Sequence, residues 1–311
     1  MSRFSRNILR WTLVLLTHGS VATARVNADD TLRQEESPTI AQAELPTIVK
    51  LEEQLPRSPT VVDFHGYQQR DFRWKGVNCK LVCPIRPAKG TPWVWRARFW
   101  GHEPQFDVAM LQQGWHVVYC DVADLFGCDD AVERWNQFYG LSQRIGLNPK
   151  PLLEGMSRGG VIVMRWASVN PACVSGLYVD NAVMDIRSWP GGKGIGEGSA
   201  GAWGKCLEAY EMTESESVSI ADGPLDRLQA LAKADVPIYA LINLEDVVVP
   251  PGENSEKLVQ RYQDLGGPFT VHRRRGLGHH PHSLEDPAPL VNFATRAFRA
   301  AQNRSQPAHA D

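Results

Sequence analysis

The sequence predicts an α/β domain, with a mostly parallel central sheet and helices on both faces. Three observations carry that expectation. Short β-branched and aromatic runs alternate with helix-like stretches along most of the chain, the pattern of a parallel sheet whose crossovers cover both its faces. The 311 residues are 43% hydrophobic and 22% charged, enough for one large globular domain with a sizeable core. Gly155-Met156-Ser157-Arg158-Gly159 then joins an apolar run (Pro151 to Leu153) to Val161-Ile162-Val163-Met164-Arg165-Trp166-Ala167, a strand turning sharply into a buried helix.

Taken in order, the chain opens with Arg3, Arg6 and Arg10 ahead of Trp11-Thr12-Leu13-Val14-Leu15-Leu16, which reads as an export signal. Cleavage after Ala24 or Ala28 fits the small residues that follow, and Ala28 is preferred; an uncleaved anchor or a plain tail are the alternatives. The predicted location is therefore periplasmic or secreted. Removing residues 1–28 leaves 29 basic against 35 acidic residues, a mildly acidic protein with no reason to bind nucleic acid. No run of about 18 apolar residues occurs, so no permanent membrane span is expected. Residues 29–59 are polar and dotted with proline, as in Gln34-Glu35-Glu36-Ser37-Pro38, and read as a linker or surface arm.

The catalytic-type domain is expected over 60–303, with a tail at 304–311. Thr60 to Ile85 alternates as a strand pair, and Pro92 to Arg96 is the next strand. A helix from Pro104 to Gln113 feeds the strand Trp115 to Asp121, and a helix over about 129–145 leads to the Ser157 strand. Ser175 to Val179, Pro237 to Asn243 and Phe269 to His272 are further strands, with helices at Ser255 to Leu265 and Ala288 to Arg299. The stretch from about 181 to 224 fits none of this rhythm and reads as a lid insertion. Ligands of such sheets bind at the carboxyl ends of the strands, where Ser157 falls.

A serine hydroxyl is a weak nucleophile and needs a base, itself held by an acid. Downstream, Leu244-Glu245-Asp246-Val247-Val248-Val249-Pro250 puts an acid just past one strand. Gly276-Leu277-Gly278-His279-His280-Pro281-His282 puts histidines just past the following one. The Ser, Asp, His order, the Gly-x-Ser-x-Gly turn, the Asp-x-x-Val-Pro segment and Gly278-His279 together resemble the α/β-hydrolase superfamily. Within it the chain is similar to secreted bacterial esterase-like and prolyl-oligopeptidase-like hydrolases. The resemblance spans about 60–300 and implies the α/β-hydrolase fold, Ser157 as nucleophile, His279 as base and Asp246 as orienting acid, with no cofactor. His280 is the main rival base and His282 a third; Glu245, Asp180 and Asp185 are rival acids.

The same resemblance implies an oxyanion hole from the backbone N–H of Arg158 and a second N–H from Ala97 or Arg98, with Ala97 preferred; donors of this kind contribute about 3–4 kcal/mol each. Arg98, Arg158 and Trp189 are candidate substrate contacts, since arginines clamp carboxylates and tryptophan faces suit sugar rings. Trp93, Trp95, Arg96, Trp100 and His102 are expected at the same mouth, although alternate tryptophans on a strand also suit a core, and Arg98 could simply pair with Asp107 or Glu103. The expected reaction is hydrolysis of a carboxylic ester, of a small molecule or an acylated oligosaccharide. A serine peptidase is the nearest alternative, weakened by the lack of an N-terminal propeller, and a binding protein on a hydrolase scaffold is the other class. No metal is expected, because neighbouring histidines in a tight loop rarely converge on one ion. Of the six cysteines, Cys79 and Cys83 lie about 13 Å apart along a strand and cannot bridge. Cys120 and Cys128 are the nearest local pair, and buried free thiols are the default.

Overall fold

A computed structural model of the chain describes residues 45–219 and 223–304. The expected export signal, residues 29–44 of the arm and the tail from 305 lie outside those residues. No helix among the described residues is long and apolar enough to cross a membrane.

The sheet has nine strands: β1 (Thr60–Phe64), β2 (Tyr67–Trp74), β3 (Val77–Val82), β4 (Trp93–Arg96), β5 (His116–Cys120), β6 (Leu152–Met156), β7 (Gly176–Asp180), β8 (Ile238–Asn243) and β9 (Phe269–Arg274). Their spatial order is β1-β2-β3-β5-β4-β6-β7-β8-β9. The pairings up to β3–β5 are antiparallel, and every pairing from β5–β4 to β8–β9 is parallel. This is the α/β-hydrolase fold. Strands β4 to β8 are buried along their whole length, as a sheet covered on both faces requires. Trp95 sits at the heart of one layer, stacked on Trp135 at 4.0 Å between ring centroids, with the edge of Trp166 5.0 Å away.

The helices among the described residues are α1 (Pro46–Gln54), α2 (Gln105–Gln112), α3 (Asp129–Arg144), α4 (Gly159–Val169), α5 (Ala200–Ala209), α6 (Glu214–Ser217), α7 (Leu228–Lys233), α8 (Ser255–Asp264) and α9 (Ala288–Arg304). Most of the expected elements appear within a few residues of their predicted bounds. Two departures have clear causes. The expected strand pair over 60–85 is a three-strand meander, because Phe64 pairs with Tyr67 and Trp74 with Val77 across two-residue turns. Those turns, His65-Gly66 and Lys75-Gly76, hold both residues at positive φ, the conformation that tight hairpins favour. The second departure is α1, which falls within the expected arm. Its Ile48 and Leu51 are fully buried in the main core, so a short polar-looking segment contributes apolar packing.

None of the described cysteines is in a disulfide. The one that Cys120 faces is Cys79, its direct partner across β3 and β5, and not Cys128.

Candidate active site

Ser157 stands between β6 and α4 at φ +48°, a strained left-handed position typical of such a turn. Its N–H donates to the Asp180 carbonyl at 2.9 Å, and its carbonyl accepts from Gly160 and Val183, each at 2.9 Å. Two glycines permit the turn. A Cβ on Gly155 would lie 2.6 Å from Val163 Cγ2 and 2.9 Å from the Gly159 carbonyl oxygen, and one on Gly160 would lie 2.5 Å from Ala182 Cβ. Gly159 is less constrained, its nearest neighbour being Arg98 Cβ at 3.4 Å. The close approach after the turn therefore falls on Gly160.

The structure brings Ser157, His279 and Asp246 together from the ends of three different strands. His279 Nε2 lies 3.0 Å from Ser157 Oγ, and its Nδ1 lies 2.7 Å from Asp246 Oδ2. A carboxylate at Nδ1 fixes the proton on that nitrogen and leaves the Nε2 lone pair facing the hydroxyl. The other Asp246 oxygen, Oδ1, accepts from the N–H groups of Val248 and Val249, each at 2.9 Å. Asp246 is thus buried, satisfied and oriented. The rival acids are engaged elsewhere. Glu245 accepts from Gly276 N–H at 2.8 Å, Asp185 pairs with Arg187, and Asp180 Oδ1 takes His282 Nδ1 at 3.0 Å. His280, the rival base, is exposed and packs edge-on against His102, 5.8 Å between centroids.

The preferred second oxyanion donor needs correction. Ala97 N–H donates to the Glu154 carbonyl at 3.0 Å; it extends the β4–β6 ladder and is not free for a substrate. The alternative donor, Arg98, has its backbone nitrogen 3.8 Å from where a Cβ of Gly159 would sit, beside the turn. Arg158 N–H opens α4, where helix N-terminal amides favour negative charge.

The loop carrying Arg98 is shaped from below by Arg96. Expected at the mouth, Arg96 is instead fully buried, with Trp93 and Trp95 likewise in the core. Its guanidinium pairs with Asp107 and Glu154 and donates to the carbonyls of Arg98 (3.1 Å), Phe99 (2.9 Å) and His102. Burial, then the charge of Asp107, holds Glu154 well above the usual carboxylate range. Asp107 is therefore the partner of Arg96, and Arg98 instead reaches Asp124 at 3.9 Å.

Above the turn, the Arg158 guanidinium lies over Phe99 (5.6 Å) and Trp189 (5.5 Å), in cation–π range of both. Burial and then the nearby charge of Arg98 lower its affinity for its proton, although a guanidinium stays charged throughout. Trp100 turns away to donate to Gln69 at 2.8 Å. Of the expected aromatic and cationic mouth, Arg98, Arg158 and Trp189 stay near the turn together with Phe99, and His102 lies beside the histidine loop, 5.8 Å from His280 between ring centroids.

The insertion packs firmly. Ile186, Trp203 and Cys206 form a small core with Phe126, Val161, Val183 and Val249. Glu253 accepts from Ser188 Oγ and Ile195 N–H, each at 2.6 Å, and buried Asn254 accepts from Met184 N–H at 2.9 Å. The stretch Gly192 to Gly196 folds onto Glu253, whose carboxylate leaves no room for a Cβ on Gly194.

Sequence reasoning missed the groups that hold the histidine loop. Asn181 donates to the His279 carbonyl at 3.1 Å, Asn243 to the Gly278 carbonyl at 2.7 Å, and Arg274 to the carbonyls of Pro281 (2.6 Å) and Ser283 (2.7 Å). Their positions just past β7 and at the ends of β8 and β9 were the available signal. Ligand atoms of His279, His280 and His282 all lie within 4.8 Å of one another, closer together than the sequence argument against a metal expects.

Comparison with known proteins supports the fold. No family model matches the chain, and no curated protein sequence matches it. Among solved structures it is similar to a puromycin hydrolase (16% identity, TM-score 0.56, covering 76% of this chain and 39% of that one). It is also similar to dipeptidyl peptidase 4 of Porphyromonas gingivalis (14%, 0.54, 78% and 36%). A third is the acylaminoacyl peptidase of Pyrococcus horikoshii (14%, 0.54, 79% and 43%). The chain spans less than half the length of these proteins, and at such identities the likeness is one of fold.

Proposed function

We propose that this protein is a serine hydrolase that cleaves a carboxylic acid derivative through an acyl-enzyme. The observation that carries the reading is the unbroken line Ser157 Oγ, His279, Asp246, at 3.0 and 2.7 Å. In this reading His279 Nε2 takes the hydroxyl proton as Ser157 Oγ attacks the carbonyl carbon, and Asp246 stabilises the imidazolium that results. The backbone N–H groups of Arg158 and Arg98 receive the oxyanion. His279 then returns the proton to the leaving group, and a water attacks the acyl-enzyme by the reverse path.

Two substrates fit that chemistry. The solved structures named above are peptidases and a puromycin hydrolase, which favours an amide or peptide bond over the ester expected from sequence. The ester of a polar or anionic molecule keeps one supporting observation, the pair of guanidiniums of Arg98 and Arg158 beside the turn. An exported location accords with the sequence of residues 1–28 and belongs to the same proposal.

The deciding experiment is labelling with a fluorophosphonate probe, with Ser157→Ala as control, followed by paired peptide-anilide and aryl-ester panels. Labelling that vanishes in the variant is the expected result. Folded wild-type protein that resists the probe would overturn the hydrolase reading in favour of a binding protein.

A further inference from the structure

We infer that the loop His279-His280-Pro281-His282 is an inhibitory binding site for a zinc-like divalent transition-metal ion. The inhibitory half of this inference rests on the hydrolase reading above; the binding half does not.

The loop is built as metal sites are built. Imidazoles that hold zinc commonly give their second ring nitrogen to a carboxylate, which fixes ring orientation and strengthens the donor nitrogen. Two such pairs occur here side by side. His279 Nδ1 faces Asp246 Oδ2 at 2.7 Å, and His282 Nδ1 faces Asp180 Oδ1 at 3.0 Å. Each pair leaves Nε2 as the nitrogen for a ligand. Both acids are themselves held: Asp246 by Val248 and Val249, Asp180 by Ser283 N–H and Tyr178 Oη, each at 2.6 Å. The His282 ring stands 4.9 Å from that of His279. His280 completes the set, 5.0 Å from His279 and 4.9 Å from His282 between centroids.

The candidate donor atoms lie within 4.8 Å of one another. Three nitrogens on a tetrahedral zinc, at about 2.0–2.1 Å each, stand a little over 3 Å apart. Small rotations close that gap, and His280 is exposed and free to make the largest. The imidazoles bind as neutral donors, so no covalent bond is broken. Three nitrogens leave a fourth position for water or Ser157 Oγ.

The consequence follows from one atom having two uses. His279 Nε2 carries the lone pair that would accept the Ser157 proton. Once that lone pair is on a metal, the hydroxyl has no base. The second histidine–aspartate pair, which the hydrolytic chemistry does not use, then has a role: it holds a ligand next to the base.

The test uses the full chain without an affinity tag. Zinc uptake is measured by calorimetry, and cobalt uptake by its visible absorption bands, in wild type, Ser157→Ala, His280→Ala and His282→Asn. Fluorophosphonate labelling is followed with and without zinc. We expect one ion per chain in wild type and Ser157→Ala, an affinity at least about tenfold weaker in His280→Ala, and labelling of wild type that zinc blocks and a chelator restores. His280→Ala labels at the wild-type rate without zinc and resists zinc inhibition. Uptake that is absent, or unchanged in both histidine variants, overturns the site. Uptake that leaves labelling unaffected overturns the inhibition. Wild type that binds zinc but never labels removes the hydrolase reading and leaves the site standing.

Discussion

Two histidine–aspartate pairs meet at one loop, and they differ in almost everything except composition. His279–Asp246 meets Ser157 and remains partly accessible, with the imidazole about 10% exposed. His282–Asp180 is sealed in, its side chains 2% and 0% exposed, and its acid also accepts from Tyr178 and Ser283. On the hydrolase reading, the same two functional groups serve as a proton-transfer pair in one place and hold a buried imidazole in position in the other. What separates them is the third partner. On the same reading, a hydroxyl on the strained turn makes an acid–base relay, whereas a tyrosine and a backbone amide make a fixed joint.

Substituting each acid in turn puts that contrast at risk. Asp246→Asn should lower the acylation rate by on the order of 10⁴, because the amide favours the wrong tautomer of His279, with a small change in stability. Asp180→Asn should do the reverse. Loss of a buried ionic acceptor should cost on the order of 2–3 kcal/mol in urea unfolding, with the rate changed by less than about tenfold. Stopped-flow acylation and equilibrium unfolding on both variants read the two effects separately. Equal rate losses would erase the distinction between relay and joint.

His116 sharpens the comparison as a buried histidine with no carboxylate partner. It is fully buried on β5 with its Nδ1 3.4 Å from the Pro92 carbonyl, and burial pulls its pKa down to about 4. The unfolded chain binds its proton near pH 6.5 and the folded chain only near 4, so the unfolded state holds more protons between those values. Its contribution is complete above pH 6.5 and is lost as pH falls toward 4, at most about 3 kcal/mol. Thermal unfolding between pH 7 and 4.5 should therefore show a steeper fall in wild type than in His116→Leu. Parallel curves would mean that this imidazole is hydrated or charged in the folded protein.

Much of this arrangement was legible in the sequence because it is local. The turn at Ser157, the acid past β8 and the histidines past β9 each sit where a strand ends, and the chain order links them. What was not legible depends on register and burial. Whether the Ala97 N–H is free depends on how β4 pairs with β6. Tryptophans on β4 look alike in sequence whether they line a mouth or a core. Asp180 ends β7 and Asp246 follows β8, and only the three-dimensional path of the loop decides which histidine each one meets. The meander at the edge was hidden because Lys75-Gly76 and His65-Gly66 are inconspicuous as turns.

Helix α1 carries a practical consequence for anyone shortening this chain. The pattern of strands alone suggests a start near residue 60. A protein begun there would lose Ile48 and Leu51, both fully buried, and would present the vacated hollow to solvent. Apolar surface of that kind recruits other molecules, so expression trials should place the boundary ahead of Leu45, where the helix begins its cap.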